Sequence, residues 1–154
     1  MPTMHFTLNT TATPEQFRAG LTDFGPGRGA LFANSKDGYL KVHSLGATEA
    51  DVTEGSAGIW ERLHYDWSDP HRITLATVDS NTWGGRSGHT YTLTPQSDGT
   101  TEVDVVVVRD PKGFKGRVVG ALLQLGGKRV IATAFAKTLK AIEARAQGAP
   151  PDAT

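Results

Sequence analysis

Asp79, His89, Tyr91 and Arg109 are the residues whose types and placement suit acid–base chemistry. On a β-strand, residues two apart face the same side. By that spacing Asp79 shares a face with Leu75 and Thr77, His89 with Tyr91, and Arg109 with Val105 and Val107. A carboxylate, an imidazole, a phenol and a guanidinium at the ends of apolar faces could orient the polar part of a ligand or move protons on it. The plainer reading of the three charged or ring-nitrogen positions is that strand ends stand in water. His64 and Asp66 also share a face, opposite Tyr65 and Trp67, and that face is expected to meet solvent.

Other chemistries find less support. There is no cysteine, hence no disulfide, thiol nucleophile or thiolate metal site. His5, His43, His64, His71 and His89 show no H-x-x-x-H spacing, so neither a metal nor another cofactor is expected. Gly25-Pro26-Gly27-Arg28-Gly29-Ala30 has the letters of a dinucleotide fingerprint, but it follows a helical segment and opens no βαβ unit. No P-loop and no G-x-S-x-G occur.

The elements that must position these residues follow from periodicity. Met4–Thr10 alternates as a first strand. Thr13, Pro14 and Gln16 spell a capping box with proline at the first helical position, followed by Phe17, Leu21 and Phe24 at helical spacing. Gly25-Pro26 stops that helix, and a short second one is expected over 28–34. Six strands are expected over 39–45, 50–55, 59–67, 72–80, 89–94 and 102–109, with hairpin turns between them. The valine run of the last one suggests a central strand. From Gly116 onward two apolar stripes appear, Val118-Leu122-Leu125 and Ile131-Phe135-Leu139-Ile142. They are out of phase by more than a third of a turn at about 100° per residue, so two helices are expected to meet at Gly126-Gly127. A curled antiparallel sheet wants cover on its concave face, and the long last helix supplies it.

Charge adds a second theme. The 16 basic and 16 acidic residues cancel. Residues 1–111 nevertheless carry eight Lys or Arg against fourteen Asp or Glu, and residues 112–154 carry eight against two. A basic helix on an acidic sheet gives complementarity within the domain. The sharper reading is that Lys112, Lys115 and Arg117, with Lys128 and Arg129, meet an anionic membrane or ligand. Aromatic residues do not interleave with these charges, so nucleic acid is not an expected partner. Residues 1–10 lack a basic and an apolar stretch, so no secretion leader is expected, and no apolar run approaches the roughly 20 residues of a membrane span. A cytoplasmic protein is expected, with one domain over 1–146 and a disordered tail over 147–154.

The order β-α-α-β6-α resembles the helix-grip fold of the START-like (SRPBCC) superfamily over nearly the whole chain. "FTLNTTATPEQFRAGLTDF", "LHYDWSDPHRI", "YTLTPQSDGTTEVDV" and "KGFKGRVVGALL" with the following "KR" resemble segments of its polyketide cyclase/dehydrase-type members. The resemblance implies an α+β fold: a curved seven-stranded antiparallel sheet gripping a long C-terminal helix, with two short helices after strand 1. It also implies a cavity between sheet and helix for a hydrophobic or amphipathic small molecule. By strand and helix parity the lining candidates are Tyr65, Trp67, Leu75, Thr77, Tyr91, Val105, Val107, Ala134, Phe135 and Thr138, with Trp83 at the mouth; plain core packing is the alternative for each. Three functions remain open. One is a carrier or sensor of a hydrophobic molecule or lipid. Another is a polyketide cyclase/dehydrase-type enzyme using some of Asp79, His89, Tyr91 and Arg109. The last is a protein-partner module, such as half of a homodimer, whose cavity is filled by its own side chains.

Overall fold

The alternating segments form seven strands: β1 (Thr3–Thr10), β2 (Lys41–Leu45), β3 (Glu49–Ser56), β4 (Ile59–Asp69), β5 (Arg72–Ser80), β6 (Gly88–Pro95) and β7 (Thr101–Val108). The computed structural model describes residues 3–32 and 35–148. All pairings are antiparallel, in the order β1-β7-β6-β5-β4-β3-β2. The middle strand is therefore β5. The valine-rich β7 lies one place from the edge, because β1 pairs with it along its whole length. Val103, Val105 and Val107 are buried while Val106 and Val108 are only half-buried, so the valine run marks one inward face and not a central position.

Four helices complete the chain: α1 (Pro14–Leu21), α2 (Arg28–Leu31), α3 (Gly113–Gln124) and α4 (Gly127–Ala146). α1 begins at the expected capping box: Thr13 accepts from the Gln16 amide, and the Gln16 side chain accepts from the Thr13 amide. This satisfies two amides that no helical carbonyl reaches. The short second helix ends at Leu31, and of its expected span Ala33 and Asn34 lie outside the described residues. α3 and α4 meet at 82°. Gly126, between them, has φ 137°, which a residue with a side chain adopts only under strain. Gln147 and Gly148 close α4 with backbone hydrogen bonds to Glu143 and Arg145. They therefore belong to the helix end and not to a tail, whose remaining residues 149–154 lie outside the described ones.

The inward stripe of α4 carries Phe135, Thr138, Leu139 and Ile142, all buried. These side chains meet the inward faces of the strands and of α1. Phe135 packs edge-on against Phe6 and Phe17 and lies 5.6 Å from the Tyr91 ring. Fully buried Phe17 joins the helix layer to the sheet through Tyr91.

One register shift matters for the site. Arg62 pairs with Asp79, but Leu63 pairs with Thr77. Val78 is the extra residue of a β-bulge, and the inward–outward alternation flips there. Asp79 therefore points out, 59% exposed at its side chain, with the Lys112 ammonium 3.6 Å away. The parity that placed it inward with Leu75 and Thr77 does not survive the bulge.

Deleting the Phe17 ring is expected to destabilise the fold by about 3–5 kcal/mol, whereas Val78→Thr on the exposed bulge should stay within about 0.5 kcal/mol. Denaturant unfolding of the two variants measures both.

Candidate functional site

The concave sheet and the two C-terminal helices enclose a cavity of about 340 Å³. A second space of about 200 Å³ shares Trp83, Arg109 and Glu54 with it. Most of the wall is apolar. The structure brings together Tyr65, Leu75, Trp83, Tyr91, Val105, Val107, Ala134, Phe135 and Thr138 around it, along with His89 and Arg109. Val119 and Leu123 of α3 and Ile131 of α4 close the side opposite the sheet.

Two expected lining residues are placed elsewhere. Trp67 is half-buried near the far end of β4, and its indole N–H donates to the Ala47 carbonyl at 3.0 Å. A buried indole must satisfy that donor, and here the β2–β3 turn does so. Thr77 is buried, but its hydroxyl is committed to Glu61. The Thr138 hydroxyl is likewise spent on the Leu31 carbonyl at 2.7 Å, so Thr138 offers the cavity only its methyl group. Trp83 is buried, bridges in backbone to Pro111, and carries the Arg109 guanidinium 5.1 Å from its ring centroid.

Arg28, Glu54 and Arg109 in the cavity wall belong to a row of four charges that Glu61, lining the second space, completes. Glu54 of β3 and Glu61 of β4 stand directly opposite each other across the strand pair, and both are buried. Two carboxylates so placed repel, and burial alone disfavours each charge. An arginine answers each one. Arg28, at the start of α2, donates through Nε to Glu54 at 2.6 Å. It also donates through Nη1 to the Asp23 carbonyl at 2.7 Å, and lies against the Phe24 and Phe32 rings. Arg109, just past β7, donates to Glu61 at 2.8 Å. Tyr65 and Ser35 donate to Glu54 as well. The row Arg28–Glu54–Glu61–Arg109 is thus neutral in sum, and most of its hydrogen-bonding groups are occupied.

Arg28, Glu54 and Glu61 did not figure among the expected site residues. Glu54 follows Ala50 and Val52 at period two, and Glu61 precedes Leu63 and Tyr65 in the same way. Inward strand parity marks both. Arg28 carries no comparable signal, since it sits in a glycine-rich connection.

His89 and Tyr91 extend the polar wall. The His89 Nε2 lies 3.0 Å from Nη2 of Arg109. An arginine can only donate, so Nε2 accepts and the ring proton sits on Nδ1. That Nδ1 is the one buried side-chain polar atom without a partner among the described residues. Burial, and then the neighbouring Arg109 charge, hold His89 well below its ordinary value of 6.5, so the ring is neutral at pH 7. Burial also raises the Tyr91 hydroxyl, which keeps it a protonated donor. The cavity therefore holds a neutral imidazole, a neutral phenol and a guanidinium already tied to a carboxylate. Among the described residues no three or more histidines, cysteines and carboxylates come together as a metal ion would need.

Solved structures of the same shape are numerous. An aromatase/cyclase from Streptomyces sp. R1128 superposes with a TM-score of 0.71 at 14% identity, over 97% of this chain and 99% of its own. A protein from Thermus thermophilus does so with a TM-score of 0.72 at 14% identity, over 94% and 99%. A START superfamily protein from Mycobacterium smegmatis gives 0.65 at 12% identity, over 95% and 97%. The chain has the START-like helix-grip fold. No family's sequence profile and no curated protein matches it, so the START-like likeness is one of fold. Among the described residues no single helix is long and apolar enough to cross a membrane.

Because native His89 resists a proton that the unfolded chain accepts, stability is expected to fall as pH drops below about 6.5. This one group contributes at most about 1.4 kcal/mol per pH unit. His89→Gln keeps an acceptor for Arg109 without titrating. Thermal unfolding at pH 7 and pH 5 should show a smaller acid loss in that variant.

Proposed function

We propose that this protein binds a hydrophobic or amphipathic small molecule, lipid or polyketide-like, in the cavity between the sheet and the C-terminal helices, as a carrier or sensor. The observation that carries the reading is an apolar cavity lined by Tyr91, whose hydroxyl has no hydrogen-bond partner among the described residues and which burial keeps protonated. A ligand oxygen that accepts from this hydroxyl gains a hydrogen bond in a water-poor site, worth about 0.5–1.5 kcal/mol. The ligand class is thus an apolar body bearing one neutral acceptor, a carbonyl or a hydroxyl. The cavity size lies within the range of roughly 300–1,000 Å³ usual for small-molecule sites.

The buried charges support a ligand role over a purely structural one. Replacing a buried ion pair by apolar side chains of similar volume is often neutral or stabilising. Stability alone therefore gives little reason for a double pair here. A fixed row of dipoles and charges, however, orients the polar end of a bound molecule without reorganising.

A second reading is a polyketide cyclase/dehydrase-type enzyme, in which the protonated Tyr91 hydroxyl gives a proton to the carbonyl oxygen of a bound polyketone and takes it back. Asp79 has no part in this, being outside the cavity. Binding without turnover of candidate polyketones separates carrier from enzyme.

Ala134 sits at the solvent-facing edge of the cavity wall, where a larger side chain can plug the entrance without disturbing the core. A titration with Nile red, an uncharged solvatochromic dye, should show saturable binding that Ala134→Trp weakens at least about tenfold, a change of roughly 1.4 kcal/mol, at unchanged melting temperature. Equal binding by both proteins would place the dye outside the cavity and contradict the reading.

A further inference from the structure

We propose that α3 is an in-plane docking helix for an anionic lipid surface. This deepens the ligand reading above and rests on it for its purpose. The helix is apolar on two sides. Its inner side packs close: a side chain at Gly116 would put its Cβ 2.4 Å from the Thr82 carbonyl oxygen, and Val119 and Leu123 line the cavity. Its outer side carries Phe114, Val118, Leu122 and Leu125, all exposed, Phe114 and Leu125 each by 84%. At about 100° per residue these four fall within an arc of about 80°. Such a stripe normally faces a core; here it faces outward.

The borders of the stripe are cationic. By the same spacing Lys115 flanks one edge of the arc and Arg117 the other, and exposed Lys128 and Arg129 follow just beyond the bend. Between Asp110 and Glu143 the chain holds seven Lys or Arg and no acidic residue. An apolar strip with basic margins on a helix too short to span fits a bilayer interface, with the apolar side chains among the acyl chains and the cations at lipid phosphates. A second copy of the chain fits less well. A two-fold contact would set the same face against itself, bringing basic margin onto basic margin.

The basic rim differs from the one expected over Lys112, Lys115 and Arg117. The Lys112 amine donates to the Ser80 carbonyl at 2.9 Å and the Lys115 amine to the Gly58 carbonyl at 2.8 Å. Lys112 is thereby held toward the sheet, which leaves Arg117, Lys128 and Arg129 to carry the outer margin with the charge of Lys115. Docking by this face would place a bilayer and the cavity on opposite sides of one helix, the shortest route for an apolar ligand between them.

Co-sedimentation of the full chain with phosphatidylglycerol–phosphatidylcholine vesicles and with pure phosphatidylcholine vesicles tests the proposal. Binding is expected to the anionic vesicles only, and to weaken with salt. Leu122→Asp with Leu125→Asp should reduce it at least about tenfold, and Arg117→Glu, Lys128→Glu and Arg129→Glu by about fivefold or more for each cation lost. Circular dichroism melting and the part of Nile red binding that is sensitive to Ala134→Trp, both measured without vesicles, should not change in these variants. Failure to bind anionic vesicles, equal binding to both compositions, or indifference to the substitutions overturns the proposal. So does a concentration-dependent dimer that Leu122→Asp dissolves while vesicles fail to bind. Retained dye binding in any of those cases leaves the cavity reading standing, whereas loss of cavity binding with intact vesicle binding removes the ligand reading alone.

Discussion

Two buried carboxylates facing each other across one strand pair are the constraint on which the rest of the site depends. Glu54 and Glu61 occupy opposed inward positions on β3 and β4, where burial weakens their solvation. Each therefore needs a cation delivered from outside its own hairpin. α2 delivers Arg28, and the end of β7 delivers Arg109. Neither delivery is local: the first ties the short helix to the far side of the sheet, and the second ties β7 to β4 over two intervening strands. Removing any one of the four charges would leave its partner buried and unpaired, a loss of about 3–5 kcal/mol. Because the row is charged it cannot close up as an apolar core would, so a wall of fixed dipoles persists beside open space. His89 extends the row by accepting from Arg109, which forces its proton onto the nitrogen that has no acceptor.

The two C-terminal helices complete the enclosure in different ways. α4 is an ordinary core helix, with Phe135, Leu139 and Ile142 buried and lysines at 137 and 140 outward. α3 closes the cavity with Val119 and Leu123 while exposing Phe114, Leu122 and Leu125. The bend at Gly126 permits this, because a continuous helix would have carried the α4 stripe on in one direction. The outward apolar stripe and the inward one then share a single wall of the ligand space.

Periodicity in the sequence carried most of the architecture. Strand alternation, the Thr13–Gln16 capping box and the phase break at Gly126-Gly127 each have a local cause, so each could be read without coordinates. The inward faces of β4 through β7 followed from parity, and Tyr65, Leu75, Tyr91, Val105 and Val107 line one space together with His89 and Arg109. Parity failed where its premise failed. The bulge at Val78 inserts one residue and turns Asp79 to solvent, and no local sequence signal announces that insertion. Strand order is likewise nonlocal, which is why the valine run of β7 suggested the centre of a sheet in which β5 holds it. Glu54 and Glu61 were within reach of parity, but a charged residue in strand alternation suggests solvent unless its partner is known. That partner, Arg28, lies in a glycine-rich connection with no periodicity to place it.

Native mass spectrometry of the full chain, purified from its own host and then denatured to release any bound molecule, tests most directly that the space beside His89 is a ligand site. The predicted result is a stoichiometric adduct, released on denaturation, that proves to be an apolar molecule bearing a carbonyl or hydroxyl oxygen. A bare chain that also gains no adduct from an excess of such molecules, and whose His89 ring resonances do not move on their addition, would contradict it.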